Sequence, residues 1–153
     1  MFRTIFSVLA VLIASVSATS CSAEDIVQFQ SADFTERVLR FSMRKSTKKT
    51  LLMKTLGTSE KAVIKKLMPK AQLDLQVSAP CTECYVKNIL CTFDHCSSQC
   101  VRDPLGQACR DCNQQHCMAA LLFCLGPEAA ASMPGEPTAE TLTLALTSSE
   151  DEN

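Results

Sequence analysis

The apolar positions of this chain fall into three separate patterns. The first is a continuous run from Ile5 to Ala14, broken only by Ser7. The second lies further on, where Leu52, Leu56, Val63 and Leu67 recur near helical spacing with Met53, Ile64 and Met68 beside them. This stripe predicts one or two amphipathic helices. Gly57-Thr58-Ser59 interrupts the stripe, Glu60 begins its second segment, and Pro69 should end it because proline has no N–H for the next helical turn. The third is Met118-Ala119-Ala120-Leu121-Leu122-Phe123-Cys124-Leu125, apolar on every side. One helix contact cannot cover such a segment, so it is buried beneath the earlier helices or left as a surface for a partner.

The first run, with its neighbours, sets the compartment. Met1-Phe2-Arg3 gives a positive start, and Ser15-Val16-Ser17-Ala18-Thr19-Ser20 supplies small residues behind the apolar stretch. That order reads as a secretory signal peptide, and the stretch is too short to span a bilayer core of ~30 Å. Cleavage after Ala18 retains ten cysteines, whereas cleavage after Ala23 would discard Cys21 and leave nine. An even count closes a disulfide set, which favours Ala18. Export places the thiols where they oxidise, and with no Trp and one Tyr a small core needs such staples.

Cysteine spacing gives the fold. From Cys84 the gaps to Cys91, Cys96 and Cys100 are 7, 5 and 4, and from Cys109 the gaps to Cys112, Cys117 and Cys124 are 3, 5 and 7. In two antiparallel helices, residues at one level have position numbers of constant sum, because both helices rise equally per residue. Here 84+124, 91+117 and 96+112 give 208, and 100+109 gives 209. The centre is Pro104, within the turn-like Val101-Arg102-Asp103-Pro104-Leu105-Gly106, where Asp103 and Pro104 suit the cap and first residue of a second helix. The spacing therefore predicts an αα-hairpin with rungs Cys84–Cys124, Cys91–Cys117, Cys96–Cys112 and Cys100–Cys109. Cys21 and Cys81 remain to pair with each other. One feature resists an ideal hairpin: five residues turn about 140° around a helix, so Cys91 and Cys96 cannot share a face without a distortion near Thr92 to His95.

Charge divides the chain further. Between Phe34 and Gln72 eleven Lys or Arg stand against Glu36 and Glu60, hence +9, whereas from Pro127 onward there are six acidic residues and no base. The overall charge of −1 hides this separation. The expected organisation is a signal peptide (1–18), a short N-terminal extension (19–33), a cationic helical region (34–77), the cysteine-rich hairpin (78–126) and a disordered acidic tail (127–153). A short helix around Thr141 to Thr147 is the alternative for part of that tail. The fold class is all-α, small and disulfide-rich.

No active site is visible. His95 and His116 are the only histidines, and neither belongs to a nucleophile–base–carboxylate set. Four glycines make no phosphate loop. Cys81-x2-Cys84 and Cys109-x2-Cys112, with the two histidines, resemble halves of a zinc site. Export and the five other cysteines of the cluster argue for disulfides instead, so neither metal nor cofactor is expected. The basic zone lacks interleaved aromatics, which speaks against nucleic acid.

After the presumed cleavage site stands Arg37-Val38-Leu39-Arg40. These residues resemble the Arg-x-Leu-Arg motif of secreted effectors from oomycete plant pathogens. The resemblance implies a protein that acts on host proteins, with Arg37, Leu39 and Arg40 serving processing or delivery and not folding. It covers four residues; no Glu-Glu-Arg element follows, and the tryptophan of the common effector fold is missing. The expectation is thus an extracellular, non-catalytic protein that binds another macromolecule, a host-directed effector being its most specific form. Residues 41–70 carry nine Lys or Arg beside an apolar stripe, so a membrane-active peptide precursor drawn to an anionic membrane surface is the first alternative. An extracellular or lumenal structural subunit is the second.

Overall fold

The computed structural model describes residues 21–132. The presumed leader, the tail beyond Ser132 and the alternative helix at Thr141 to Thr147 lie outside the described residues. The architecture is all-helical, in the order α1 (Ala23–Phe29), α2 (Phe34–Met43), α3 (Lys45–Thr55), α4 (Glu60–Leu75), α5 (Ala79–Cys100), α6 (Gln107–His116), α7 (Met118–Leu125) and α8 (Pro127–Ala131).

Local chemistry explains most of the boundaries. Ser22 and Asp25 form a reciprocal capping box that starts α1. Ser59 caps α4 through the Ala62 N–H, and Pro80 sits in the first turn of α5, where its missing N–H costs nothing. Gln76 ends α4 in the left-handed conformation at φ 58°, with its N–H on the Gln72 carbonyl.

Long α5 is the spine. It packs against α4, α6 and α7, while α2 and α3 pack on α4 and α8 packs on α7 and α1. The core is centred on Phe29, Phe34 and Tyr85, whose rings lie 5.0–5.8 Å apart in tilted and edge-on pairs. Phe41, Leu67, Leu75, Val86, Leu90 and Leu125 fill the space around them with almost no exposure.

Several expectations change. The stripe from Leu52 to Met68 falls on two helices, α3 and α4, as expected, and the cationic region adds a third, α2, before them. Pro69 does not end its helix but lies inside α4. Leu67, Ala71 and Leu75, on either side of it, are buried against the core and hold the segment helical. Pro69 and Lys65 are both exposed, so water can replace the hydrogen bond that proline removes. The 19–33 extension is built into the core through Phe29 and Cys21. The tail does not become irregular at Pro127: Gly126 turns the chain at φ 91°, Pro127 opens α8, and Ala129 and Ala130 are buried. The apolar segment 118–125 is covered chiefly by α5 and α8, with Phe34 and Val38 of α2 facing Met118 and Leu121 across a small cavity and Phe123 left 85% exposed.

A stapled hairpin tip as candidate functional site

All ten cysteines are oxidised. The structure pairs Cys84 with Cys124, Cys91 with Cys117, Cys96 with Cys112 and Cys100 with Cys109, at Cα separations of 5.7, 5.8, 5.8 and 4.7 Å. Cys21 pairs with Cys81 at 4.5 Å. The zinc alternative therefore has no thiolate left in either Cys-x2-Cys.

The angular problem of the ladder is solved on the return arm. Helix α5 runs unbroken through Thr92 to His95, so the distortion expected there is absent. Along α5, Cys84 and Cys91 lie within about 20° of one another and Cys96 and Cys100 within about 40°, but the two pairs face different flanks. The return arm changes flank by breaking at Cys117 (φ −124°, ψ −24°) between α6 and α7. Asn88 of α5 donates to the Cys117 carbonyl at 3.4 Å, and Asn113 donates to Thr92 Oγ1, which itself donates to the Asn88 carbonyl. Polar side chains thus hold the break against the spine.

At the far end, Gly106 N–H donates to the Asp103 carbonyl at 3.1 Å, closing the turn Asp103-Pro104-Leu105-Gly106. Asp first, Pro second and Gly fourth is the composition that such a turn favours. A Cβ on Gly106 would lie 2.4 Å from Asp103 Oδ2, so a larger residue there would have to push the exposed Asp103 side chain aside. Asp103 and Pro104 consequently belong to the turn, and α6 starts at Gln107 behind Gly106, later than the sequence suggested.

This end of the hairpin has no apolar interior. Between Phe93 and Met118 no residue joins the main apolar cluster. Cys96, Cys109 and Cys112 are the buried residues of α6 and the end of α5, and each is in a rung. Val101 and Leu105 at the turn are 71% and 56% exposed. Sulfur does here what a core does elsewhere.

The predicted motif residues do not act together. Arg37 is buried. Its guanidinium donates to the Leu75 carbonyl at 3.0 Å, to Ser31 Oγ at 2.8 Å and to Gln28 Oε1 at 3.2 Å. Nε lies 3.4 Å from Asp33 Oδ2, within ion-pair distance but misdirected for a hydrogen bond. It also lies over the Phe34 ring at 5.4 Å. Arg37 ties α1, α2 and the last turn of α4 together, where a cation suits orphan carbonyls. This corrects the expectation that Arg37 is dispensable for folding. Arg40 is exposed and pairs with Glu36 at 2.7 Å, while Leu39 is half-buried.

Asp25 was not expected as an important residue. Its carboxylate accepts from Ser22 N–H at 2.8 Å and from the Ser78 N–H and hydroxyl, each at 2.6 Å. Burial alone would raise its pKa, but the Ser78 and Ser22 hydrogen bonds outweigh it and hold the carboxyl below its ordinary value. Cys21 and Cys81 lie beside it, but both are in a disulfide and the Asp25 oxygens already have donors, so this cluster offers a metal nothing. Tyr85 lines a cavity of about 200 Å³ with Phe34, Val38, Met118 and Leu121. Burial, and then the Asp25 carboxylate, push its phenol pKa up.

The exposed surface of α3 and α4 is strongly basic. Lys45, Lys48, Lys49, Lys61, Lys65, Lys66 and Lys70 of α3 and α4 are all exposed, whereas Lys54 is paired with Glu60 and Asp94. The predicted apolar stripe is split: Val63 and Leu67 are in the core, together with Leu51, whereas Leu52 and Leu56 are 54% and 84% exposed. No helix among the described residues is long and apolar enough to cross a membrane. No protein-family model, curated protein or solved structure matches the chain.

Proposed function

We propose that this is an exported, non-catalytic protein that binds another macromolecule, and that the disulfide-stapled hairpin tip is the part that makes contact. Disulfides in this number fit an oxidising compartment. The observation that carries the proposal is order without a core. Residues 94–117 bury no apolar cluster, yet two rungs fix them, with Val101 and Leu105 presented on a rigid turn. A pre-ordered apolar projection binds with little further loss of conformational entropy. The test is Val101→Asp with Leu105→Asp, two exposed positions whose substitution spares the fold. Labelled mature protein should bind recipient cells or secreted proteins saturably, and the double variant should lose that binding. Saturable binding that the variant retains refutes the role of the tip. Absence of saturable binding by the natural protein refutes the binding function.

The finer form of the proposal is a host-directed effector, supported by Arg37-Val38-Leu39-Arg40 behind the presumed leader. Since Arg37 is internal once folded, any reader of these four residues acts before folding is complete or recognises Arg40 alone. Attraction to an anionic membrane is a second reading, favoured by the seven exposed lysines of α3 and α4. In the folded protein that attraction is mainly electrostatic, because Val63 and Leu67 are occupied in the core and only Leu52 and Leu56 of the stripe reach the surface. Binding to anionic vesicles should then vanish at high salt.

A further inference from the structure

The chain's two histidines meet on the ladder. His95 of α5 and His116 of α6 are both exposed, with ring centroids 5.6 Å apart and planes 13° from parallel. Each directly precedes a rung cysteine, and the rungs are Cys96–Cys112 and Cys91–Cys117. Rung sulfurs also touch the histidine backbones: Cys91 Sγ lies 3.5 Å from the His116 carbonyl oxygen and Cys112 Sγ 3.6 Å from that of His95. Both backbones are therefore pinned, and only the two side-chain torsions of each ring remain free.

We propose that His95 and His116 form a two-histidine site for a zinc(II)-type divalent metal ion. Two imidazoles sharing one tetrahedral zinc at about 2.0–2.1 Å hold their centroids roughly 5.2 Å apart. The observed centroid separation is close to that already, and turning the near-parallel rings about their side-chain torsions would aim a nitrogen of each at one shared ion. Imidazole nitrogen suits borderline ions such as zinc, whereas calcium and magnesium prefer oxygen. The rest of the coordination sphere is open to water or to a group brought by a partner, as in sites that do not close around their metal. The site sits at the base of the hairpin tip but does not depend on the tip's role in binding.

The experiment uses the oxidised mature chain, in which no thiol competes, and zinc(II) as the probe. Calorimetry should give one saturable site, and the ring protons of His95 and His116 should shift together in NMR spectra. His95→Gln and His116→Gln should each weaken binding more than about a hundredfold, a loss beyond that of a merely supporting group, while circular dichroism and disulfide mapping stay unchanged. Acidification should displace the metal, since protons compete for the same nitrogens, and excess magnesium should not. No saturable zinc binding, or binding that survives both substitutions, overturns the proposal. So does a shift of only one of the two rings.

Discussion

Replacing Arg37 by alanine should unfold this protein more readily than any change to its exposed basic residues. The guanidinium makes three hydrogen bonds to α1, the following loop and the end of α4. Its bond to the buried Leu75 carbonyl is charge-assisted, worth about 1.5–3 kcal/mol, and truncation leaves that carbonyl without its donor. The bonds to Ser31 and Gln28 are partly replaced by water and add about 1 kcal/mol together. Lost contact with the Phe34 ring adds about 0.5–1 kcal/mol. The ion pair with Asp33 contributes little, because Asp33 is 61% exposed. Together Arg37→Ala should cost about 3–5 kcal/mol, a large share of the ~5–15 kcal/mol that holds a domain folded. Arg37→Lys keeps the charge but offers a single donor nitrogen in place of the planar fork, so it should recover part of the loss. Urea unfolding of the oxidised protein, followed by circular dichroism, measures both. Hydrogen exchange should locate the loosening at residues 22–43 and at the end of α4, leaving the ladder protected. Arg40→Ala is the control: its exposed pair with Glu36 should be worth less than about 0.5 kcal/mol. If Arg37→Ala costs under about 1 kcal/mol, or no more than Arg40→Ala, the internal role of Arg37 is refuted.

Two other predictions concern what else holds the fold together. Asp25 has a lowered pKa in the fold, so its contribution is complete above the unfolded value of about 3.9 and is lost as pH falls through the lower folded value. Asp25→Asn should cost about 2 kcal/mol at neutral pH and flatten the pH dependence of urea stability in that acidic window; an unchanged profile would show that another carboxylate governs it. The Cys21–Cys81 bond spans 60 residues and Cys100–Cys109 only 9. Serine pairs at these sites should therefore cost about 4 kcal/mol for the first and about 2–3 kcal/mol or less for the second, since neighbouring rungs already constrain that loop. Equal losses in urea titrations would contradict this entropic account.

The cysteine ladder was legible because its cause is simple geometry. Equal rise per residue in both arms leaves a constant sum in the numbering, and nothing else in the chain imitates it. Spacing could show that Cys91 and Cys96 face apart, but not which arm would bend. The return arm breaks because Asn88 and Asn113 supply hydrogen bonds beside Cys117, and isolated asparagines carry no such signal. Arg37 was hidden by its neighbours. In a basic segment one more arginine looks solvated, yet Phe34, Arg37 and Phe41 fall at i, i+3 and i+7, one buried face of α2. That face could have been read had the apolar stripe been started before Leu52. Pro69 misled because a proline rule describes an isolated helix, whereas burial of Leu67, Ala71 and Leu75 acts across it.

The division of labour between packing and sulfur bears on function. Around Phe29, Phe34 and Tyr85 the chain holds itself by apolar burial, and Cys21–Cys81 and Cys84–Cys124 reinforce a body that has a core. Beyond Phe93 the balance reverses. A hairpin needed only to return the chain to α7 could turn soon after that residue, with a loop of a few residues. This one continues to Val101 and comes back along the polar helix α6, with four further cysteines fixing a stretch that buries almost nothing else. Such rigidity adds little to the core it extends from, since the body is closed without it. What it does provide is a fixed position in space for Val101, Leu105 and the imidazoles at its base, which is what the proposed contact with a partner requires.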